Sequence, residues 1–192
     1  MKTHNAAEVK HLKSLVPFYD FDELNPVGGT RYVIKAPNKY SHIRYSGIEL
    51  NYCSASDYLE IERELLKFIL SLIAAIQEKE CTIVRYESKW VVRESELPKL
   101  STLLHKNGIG NSVQGITVSK YDTIIGEFVI SALRYNSFIQ FLFPGKRVVI
   151  TPTDHLDVFV DLPESNTPAQ KIELVWKTRG RQGEDKGTVS VW

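Results

Sequence analysis

The stretch FIQFLFPGKRVVITPTDHLDVFVDL, residues 138–162, carries the strongest indication of fold in this sequence. Its apolar runs at 138–143, 147–151 and 155–162 have the length of strands, and turn residues such as Pro144 and Gly145 separate them. Strands that are joined by so few residues pair in opposite directions. The stretch therefore predicts an antiparallel three-stranded meander.

The third run alternates between apolar and polar residues, which indicates a strand with two different faces. One face carries Leu156, Val158, Val160 and Leu162, and the other carries His155, Asp157, Phe159 and Asp161. Such alternation is typical of a sheet that buries one side and exposes the other. We therefore expect His155, Asp157 and Asp161 on a solvent-facing row.

Residues 65–76 predict the longest helix, because they are apolar apart from one lysine and one serine. About twenty apolar residues are needed to cross a bilayer, so a buried helix is expected rather than a membrane segment. Asp57 is the expected N-cap of this helix, which would cover residues 58–80. Apolar residues around most of its circumference predict a central position and include Leu66, Leu70, Ala74 and Ala75.

The remaining pattern completes the predicted fold. Asn5 and Asp122 are expected to cap helices over 5–15 and 122–135, and a further helix is expected over 95–106. Other strands are expected at 31–36, 42–53, 81–86, 89–93, 113–118, 171–178 and 188–192. The sequence thus predicts a single α+β domain over residues 1–192, with residues 1–29 as a peripheral N-terminal extension. Its largely antiparallel sheet would pack with three to four helices, one of them long, central and buried.

The composition restricts the class of protein. Hydrophobic residues make up 43% of the chain and charged residues 24%, which excludes disordered, collagen-like and disulfide-rich classes. The net charge of +1 provides no overall field to attract nucleic acid or an acidic membrane. Two cysteines, Cys53 and Cys81, are too few for a disulfide framework or a thiolate zinc site. A soluble, cytoplasmic protein with reduced thiols is expected.

Local motifs for catalysis are missing from the sequence. It contains no GxxxxGK[ST], GxGxxG, GxSxG, HExxH, CxxC or DxDxDG pattern, so no cofactor is predicted. His155, Asp157 and Asp161 form the best catalytic candidate, because a histidine beside carboxylates can act as a base or help to hold a divalent ion. A single strand spreads these groups apart, so a second element would have to complete such a site. A solvated strand face is the simpler interpretation.

A second candidate surface lies in residues 31–45, which contain four basic residues, three tyrosines, one histidine and no acid. Strand alternation would place Tyr40, His42 and Arg44 in one exposed row. Interleaved aromatic and basic side chains suit single-stranded nucleic acid, and they also suit a protein partner. A smaller basic group is expected in the C-terminal region at Lys177, Arg179, Arg181 and Lys186.

These features favour a non-enzymatic intracellular module that binds another protein. Its predicted binding residues are Tyr40, His42, Arg44, His155, Asp157 and Asp161. Small intracellular proteins that neutralise a cognate toxin or regulate an enzyme have the same compact, motif-poor and nearly neutral profile, which is a likeness of class.

Two alternative functions stay open at this point. The first is a nucleic-acid-binding protein that uses residues 31–45, and the second is a metal-dependent hydrolase at His155, Asp157 and Asp161. No membrane partner is expected. The strand that ends at Trp192 would offer an open sheet edge on which a second copy could form a homodimer.

Overall fold

The computed structural model describes residues 1–35, 45–49, 53–86, 90, 97–135, 138–163 and 189–191. The strands are β1 (Lys2–His4), β2 (Tyr19–Asp20), β3 (Asn25–Pro26), β4 (Gly29–Lys35), β5 (Glu80–Arg85), β6 (Gly115–Ser119), β7 (Ile139–Phe143), β8 (Val148–Pro152), β9 (Asp157–Pro163) and β10 (Val189–Val191). The helices are α1 (Ala6–Ser14), the short α2 (Tyr45–Glu49), α3 (Ala55–Ala75), α4 (Pro98–Lys106) and α5 (Ile124–Tyr135).

The strands form one large sheet with the order β1-β6-β5-β7-β8-β9-β4-β10, and β2 and β3 form a separate ribbon. Within the described ranges, all neighbouring strands of the large sheet run antiparallel. The predicted meander is confirmed as β7, β8 and β9. The single α+β domain with a largely antiparallel sheet is confirmed as well.

The long helix α3 packs with α5 on one face of the sheet. Its N-cap is Ser54, whose hydroxyl accepts a hydrogen bond from the Asp57 amide at 3.1 Å, so the prediction of Asp57 as the cap is wrong. The helix ends at Ala75 rather than at residue 80. There the Lys120 ammonium binds the Ala74 carbonyl at 2.7 Å and satisfies an acceptor that the helix end leaves free.

The buried side of α3 follows the helical period expected from the sequence. Its apolar core residues are Tyr58, Ile61, Leu65, Phe68, Ile69, Leu72 and Ile73. Leu70, Ala74 and Ala75 are exposed, so this helix keeps one side open to solvent. No helix in the described part of the chain is long and apolar enough to cross a membrane.

The opposite face of the sheet is covered by the N-terminal residues. Strand β1 extends the sheet next to β6, and α1 with the chain that follows it packs a second apolar cluster onto β5, β7 and β8. This cluster consists of Val9, Val16, Phe18, Tyr19, Phe21, Val84, Leu142 and Val149. Residues 1–29 thus contribute apolar side chains that cover this face of the sheet, and the expectation of a sheet with one open face is wrong.

Glycines permit this close covering at two positions. A Cβ atom on Gly115 would lie 2.9 Å from Cγ2 of Val9, so glycine lets α1 approach β6. A Cβ atom on Gly29 would lie 2.7 Å from the Leu162 carbonyl oxygen and from Phe18, so glycine also lets the residue 16–21 segment approach β4. Both contacts are shorter than normal van der Waals separations.

One helix cap agrees with the sequence, whereas one strand does not. Asn5 caps α1 together with Glu8. Helix α5 begins two residues later than predicted, at Ile124, whose amide donates to the Asp122 carboxylate at 3.0 Å. The strand predicted at 42–53 is wrong where it is described, because residues 45–49 form α2. The Tyr45 ring lies edge-on to Tyr58 at 5.3 Å, so aromatic packing favours a turn of helix here. The strands predicted at 89–93 and 171–178 lie mainly or wholly outside the described residues.

Candidate functional site

The structure separates the residues of the predicted acidic row. His155 precedes β9 and lies in a turn in which the Leu156 amide binds the Thr153 carbonyl at 3.1 Å. Its side chain is 55% exposed, and its Nε2 atom lies 3.7 Å from Oδ1 of Asp154. Leu156 is fully buried at a φ of 59°, an uncommon conformation that only firm packing maintains. The turn is therefore fixed while His155 faces solvent.

Asp161 is not on a solvated row, because its side chain is completely buried. It forms a two-point ion pair with Arg31, in which Nε lies 2.7 Å from Oδ1 and Nη2 lies 3.1 Å from Oδ2. The same guanidinium donates to the Asn25 side chain at 2.8 Å and to the Leu24 carbonyl. Asp161 thus orients an arginine that attaches the N-terminal covering layer to the sheet.

The burial of Asp161 has a direct electrostatic effect. Removal from water raises the pKa of the Asp161 carboxyl, and the hydrogen bonds and charge of Arg31 partly oppose that rise. Arg31 also stacks over the Phe159 ring at 4.6 Å, so its own surroundings hold it in place. The basic stretch 31–45 therefore loses Arg31 as a residue available to a ligand.

The predicted metal set does not converge. Asp157 and Asp161 share one face of β9 but are four residues apart, which is about 13 Å along a strand. Asp157 is half-buried at the start of the strand, whereas Asp161 is fully buried beneath the N-terminal layer. In the part of the chain that the structure describes, no three His, Cys, Asp or Glu side chains are grouped to hold a metal ion.

Several exposed and half-buried residues lie at one end of the sheet, which we call the upper end. It is the end at which β4, β5 and β8 finish and β7 and β9 begin, and its residues are Lys35, Tyr86, Phe138, Asp154, His155 and Asp157. Lys35 and Asp157 are opposite each other in the β4–β9 register. The turn with Asp154 and His155 directly precedes Asp157.

Two aromatic side chains contribute to the upper end. Tyr86 is 44% exposed, and its ring lies edge-on to Phe138 with the ring centres 6.0 Å apart. The Tyr86 hydroxyl donates to the Asp22 carbonyl at 3.2 Å, which joins the upper end to the N-terminal layer. The sequence showed both aromatics at strand ends, but only the strand order reveals that they lie at the same end as His155 and Asp157.

Tyr40, His42 and Arg44 lie outside the described residues, but both ends of their segment are described. The segment 36–44 begins after Lys35 at the upper end and finishes before Tyr45. The Tyr45 ring contacts the Tyr135 ring at 5.5 Å and lies 5.1 Å from the Arg134 guanidinium, which itself pairs with Glu62 at 2.6 Å. The predicted basic and aromatic stretch thus follows a residue of the sheet and precedes a tyrosine that packs on α3 and α5.

Comparisons of this chain with protein-family models, with curated proteins and with solved structures find no match. The function therefore has to be inferred from the residues and geometry described above.

Proposed function

We propose that this protein is a non-enzymatic protein-binding module whose contact surface is the upper end of the sheet together with residues 36–44. The observation that carries the proposal is the register pair of Lys35 and Asp157. Because of this pair, the segment with Tyr40, His42 and Arg44 begins beside the turn that carries His155. Lys35 and the turn that carries His155 are far apart in sequence, and the strand register makes them neighbours.

The chemistry of this combined surface suits a protein partner. It presents both signs of charge, with Lys35 opposite Asp157 and near Asp154, and it includes His155 and the half-exposed Tyr86. Tyrosine and arginine are the residue types that most often dominate protein–protein binding energy, and the segment 36–44 adds one of each. Charges at the rim of such a surface mainly increase the association rate.

The alternative functions receive less support from the same geometry. Nucleic-acid affinity comes mainly from phosphate neutralisation, and the carboxylates of Asp154 and Asp157 at the upper end would repel phosphates. Arg31, the first cation of the stretch, is occupied by Asp161. A hydrolase that used Asp161 would need it to reach solvent, and its side chain is buried.

Affinity capture from a native lysate, with and without nuclease, tests this proposal. We expect the wild-type chain to retain one protein in stoichiometric amount after nuclease treatment. Tyr40→Ala/Arg44→Ala should lose that protein, since both side chains belong to the proposed surface. Tyr121→Ala is the matched control, because Tyr121 is 74% exposed after β6, at the opposite end of the sheet.

Three outcomes would contradict the proposal. The first is recovery of nucleic acid with proteins that disappear after nuclease treatment, which would favour the nucleic-acid alternative. The second is equal retention of the captured protein by Tyr40→Ala/Arg44→Ala and Tyr121→Ala. The third is the absence of any stoichiometric protein.

A further inference from the structure

An open groove lies between helix α1 and the chain at residues 17–27, adjacent to the upper end. Its volume is about 560 Å³, within the range of about 300 to 1,000 Å³ that is usual for ligand sites. The α1 side contributes Val9, Lys10 and Lys13, and the opposite side contributes Tyr19, Asp20, Phe21, Asp22 and Val27. The Asp22 carbonyl accepts the Tyr86 hydroxyl, so the groove continues directly into the upper end.

The two walls of the groove carry opposite charges, and among the described residues no ion pair within 4 Å joins them. Lys10 and Lys13 are three residues apart on α1 and therefore point to the same side of the helix. The Lys13 ammonium is half-buried and lies 4.9 Å from the centre of the Phe21 ring. Among the described residues, it forms no ion pair within 4 Å. Burial lowers the pKa of Lys13, and the charge of Asp22 partly opposes this shift.

The carboxylate wall is held in a fixed conformation. Oδ1 of Asp20 accepts hydrogen bonds from the Asp22 amide at 2.8 Å and from the Glu23 amide at 3.0 Å. A few residues further on, Arg31 binds the Leu24 carbonyl and the Asn25 side chain. The Asp22 carboxylate is left on the exposed side of the groove.

The lysine wall is equally well fixed. The capping box of Asn5 and Glu8 closes the first turn of α1, with hydrogen bonds of 3.0 and 2.9 Å. Val9 is buried against Gly115 of β6, which sets the depth of the helix on the sheet. A site with two preformed walls loses little conformational entropy when it binds a ligand.

We propose that this groove binds a short peptide segment of the protein partner that carries one acidic and one basic side chain. The source of the segment depends on the function proposed above, whereas the groove's preference for a dipolar peptide does not. The acidic side chain would pair with Lys13 and Lys10, and the basic side chain would pair with Asp22. The apolar part of the segment would lie on Phe21 and Val27.

The charges of the groove argue against other occupants. A phosphate or a purely acidic peptide would be attracted by the two lysines but repelled by the two carboxylates across the groove. A purely basic peptide would be attracted by the carboxylates but repelled by the lysines. An apolar helix would remove all four charges from water without compensation. A dipolar segment is the one chemistry that satisfies both walls.

Amide chemical shifts measured during titration with three capped tetrapeptides test the inference. The probes are acetyl-Arg-Ala-Ala-Glu-amide, its Glu–Glu counterpart and its Arg–Arg counterpart. We expect saturable shifts at Lys13, Phe21 and Gln114 with the dipolar peptide, and at least fivefold weaker binding of the other two. Lys13→Met should weaken dipolar binding at least fivefold, whereas Lys146→Met, an exposed lysine at the opposite end of the sheet, should leave it unchanged.

Three results would overturn the inference. One is equal binding of all three peptides, and another is equal effects of the two lysine substitutions. The third is the absence of shifts at these amides at about 10 millimolar peptide, a concentration on the order of the weakest affinities of interest. A separate comparison uses the protein captured by the wild-type chain. If that protein binds Lys13→Met and the wild type equally, the groove is not its docking site, and the inference fails while the proposed function stands. If no protein is captured, the proposed function fails and the peptide titration still decides the preference of the groove.

Discussion

Replacement of Arg31 by methionine would break the buried ion pair that attaches the N-terminal layer to the sheet. Asp161 has no exposed side-chain surface and Arg31 has 13%, so the substitution would leave a desolvated carboxylate without its partner. Breaking a buried pair in this way costs about 3 to 5 kcal/mol of unfolding free energy. Arg31→Met/Asp161→Leu should recover a large part of this loss, because no unpaired charge would then be buried.

The cost of Arg31→Met should depend on pH in a defined direction. Burial already raises the pKa of Asp161, and Arg31 opposes the rise, so its removal would raise the folded-state pKa further. A carboxyl with a raised pKa binds its proton more tightly in the folded state than in the unfolded state. Stability is therefore retained below the unfolded-state pKa of about 3.9 and lost as pH rises through the folded-state value.

Urea unfolding of wild type and Arg31→Met at pH 4 and pH 7, followed by tryptophan fluorescence, measures this difference. We expect the variant to lose more unfolding free energy, relative to wild type, at pH 7 than at pH 4. Comparison at each pH removes the contributions of carboxylates that both proteins share. A loss that is equal at the two pH values, or larger at pH 4, would refute the assignment of Asp161 as the buried partner.

Three further predictions concern stability and can be measured by the same urea unfolding at pH 7. Gly29→Ala should cost about 1 to 3 kcal/mol, because its Cβ would overlap the Leu162 carbonyl, and an unchanged midpoint would contradict the close approach. Asn5→Ala should cost about 1 kcal/mol by removing the cap of α1, whereas an unchanged unfolding free energy would contradict the cap. Tyr58→Phe should cost about 1 kcal/mol, since it removes a buried hydrogen bond to the Leu133 carbonyl, and a neutral result would show that this bond contributes nothing.

The elements that local patterns specify could be predicted from the sequence. Short apolar runs separated by turn residues indicated β7, β8 and β9, a capping residue indicated the start of α1, and helical periodicity indicated α5. The cap of α3 was assigned to Asp57 instead of Ser54, because both residue types cap helices well and the sequence holds them three positions apart. Helix α2 was missed because its formation depends on contacts of Tyr45 with distant aromatic rings.

The arrangement of the candidate site could not be predicted from the alternation of apolar and polar residues along a strand. A polar residue on a strand face is either solvated or buried with a partner, and the partner of Asp161 is 130 residues away in the chain. The covering layer had a visible signal in Phe18, Tyr19 and Phe21, but nothing local indicated which surface they cover. That Lys35 and Asp157 are neighbours likewise follows only from the strand register.

The most direct test of the central proposal is the equilibrium affinity of the captured protein for matched variants at the two ends of the sheet. Lys35→Ala/His155→Ala alters the upper end, and Tyr121→Ala/Lys146→Ala alters the opposite end, so each double variant replaces two exposed side chains. We predict at least about tenfold weaker binding for the first, equivalent to about 1.4 kcal/mol, and an unchanged dissociation constant for the second. Equal affinities for the two variants, or a larger loss for the second, would contradict the upper end as the binding surface.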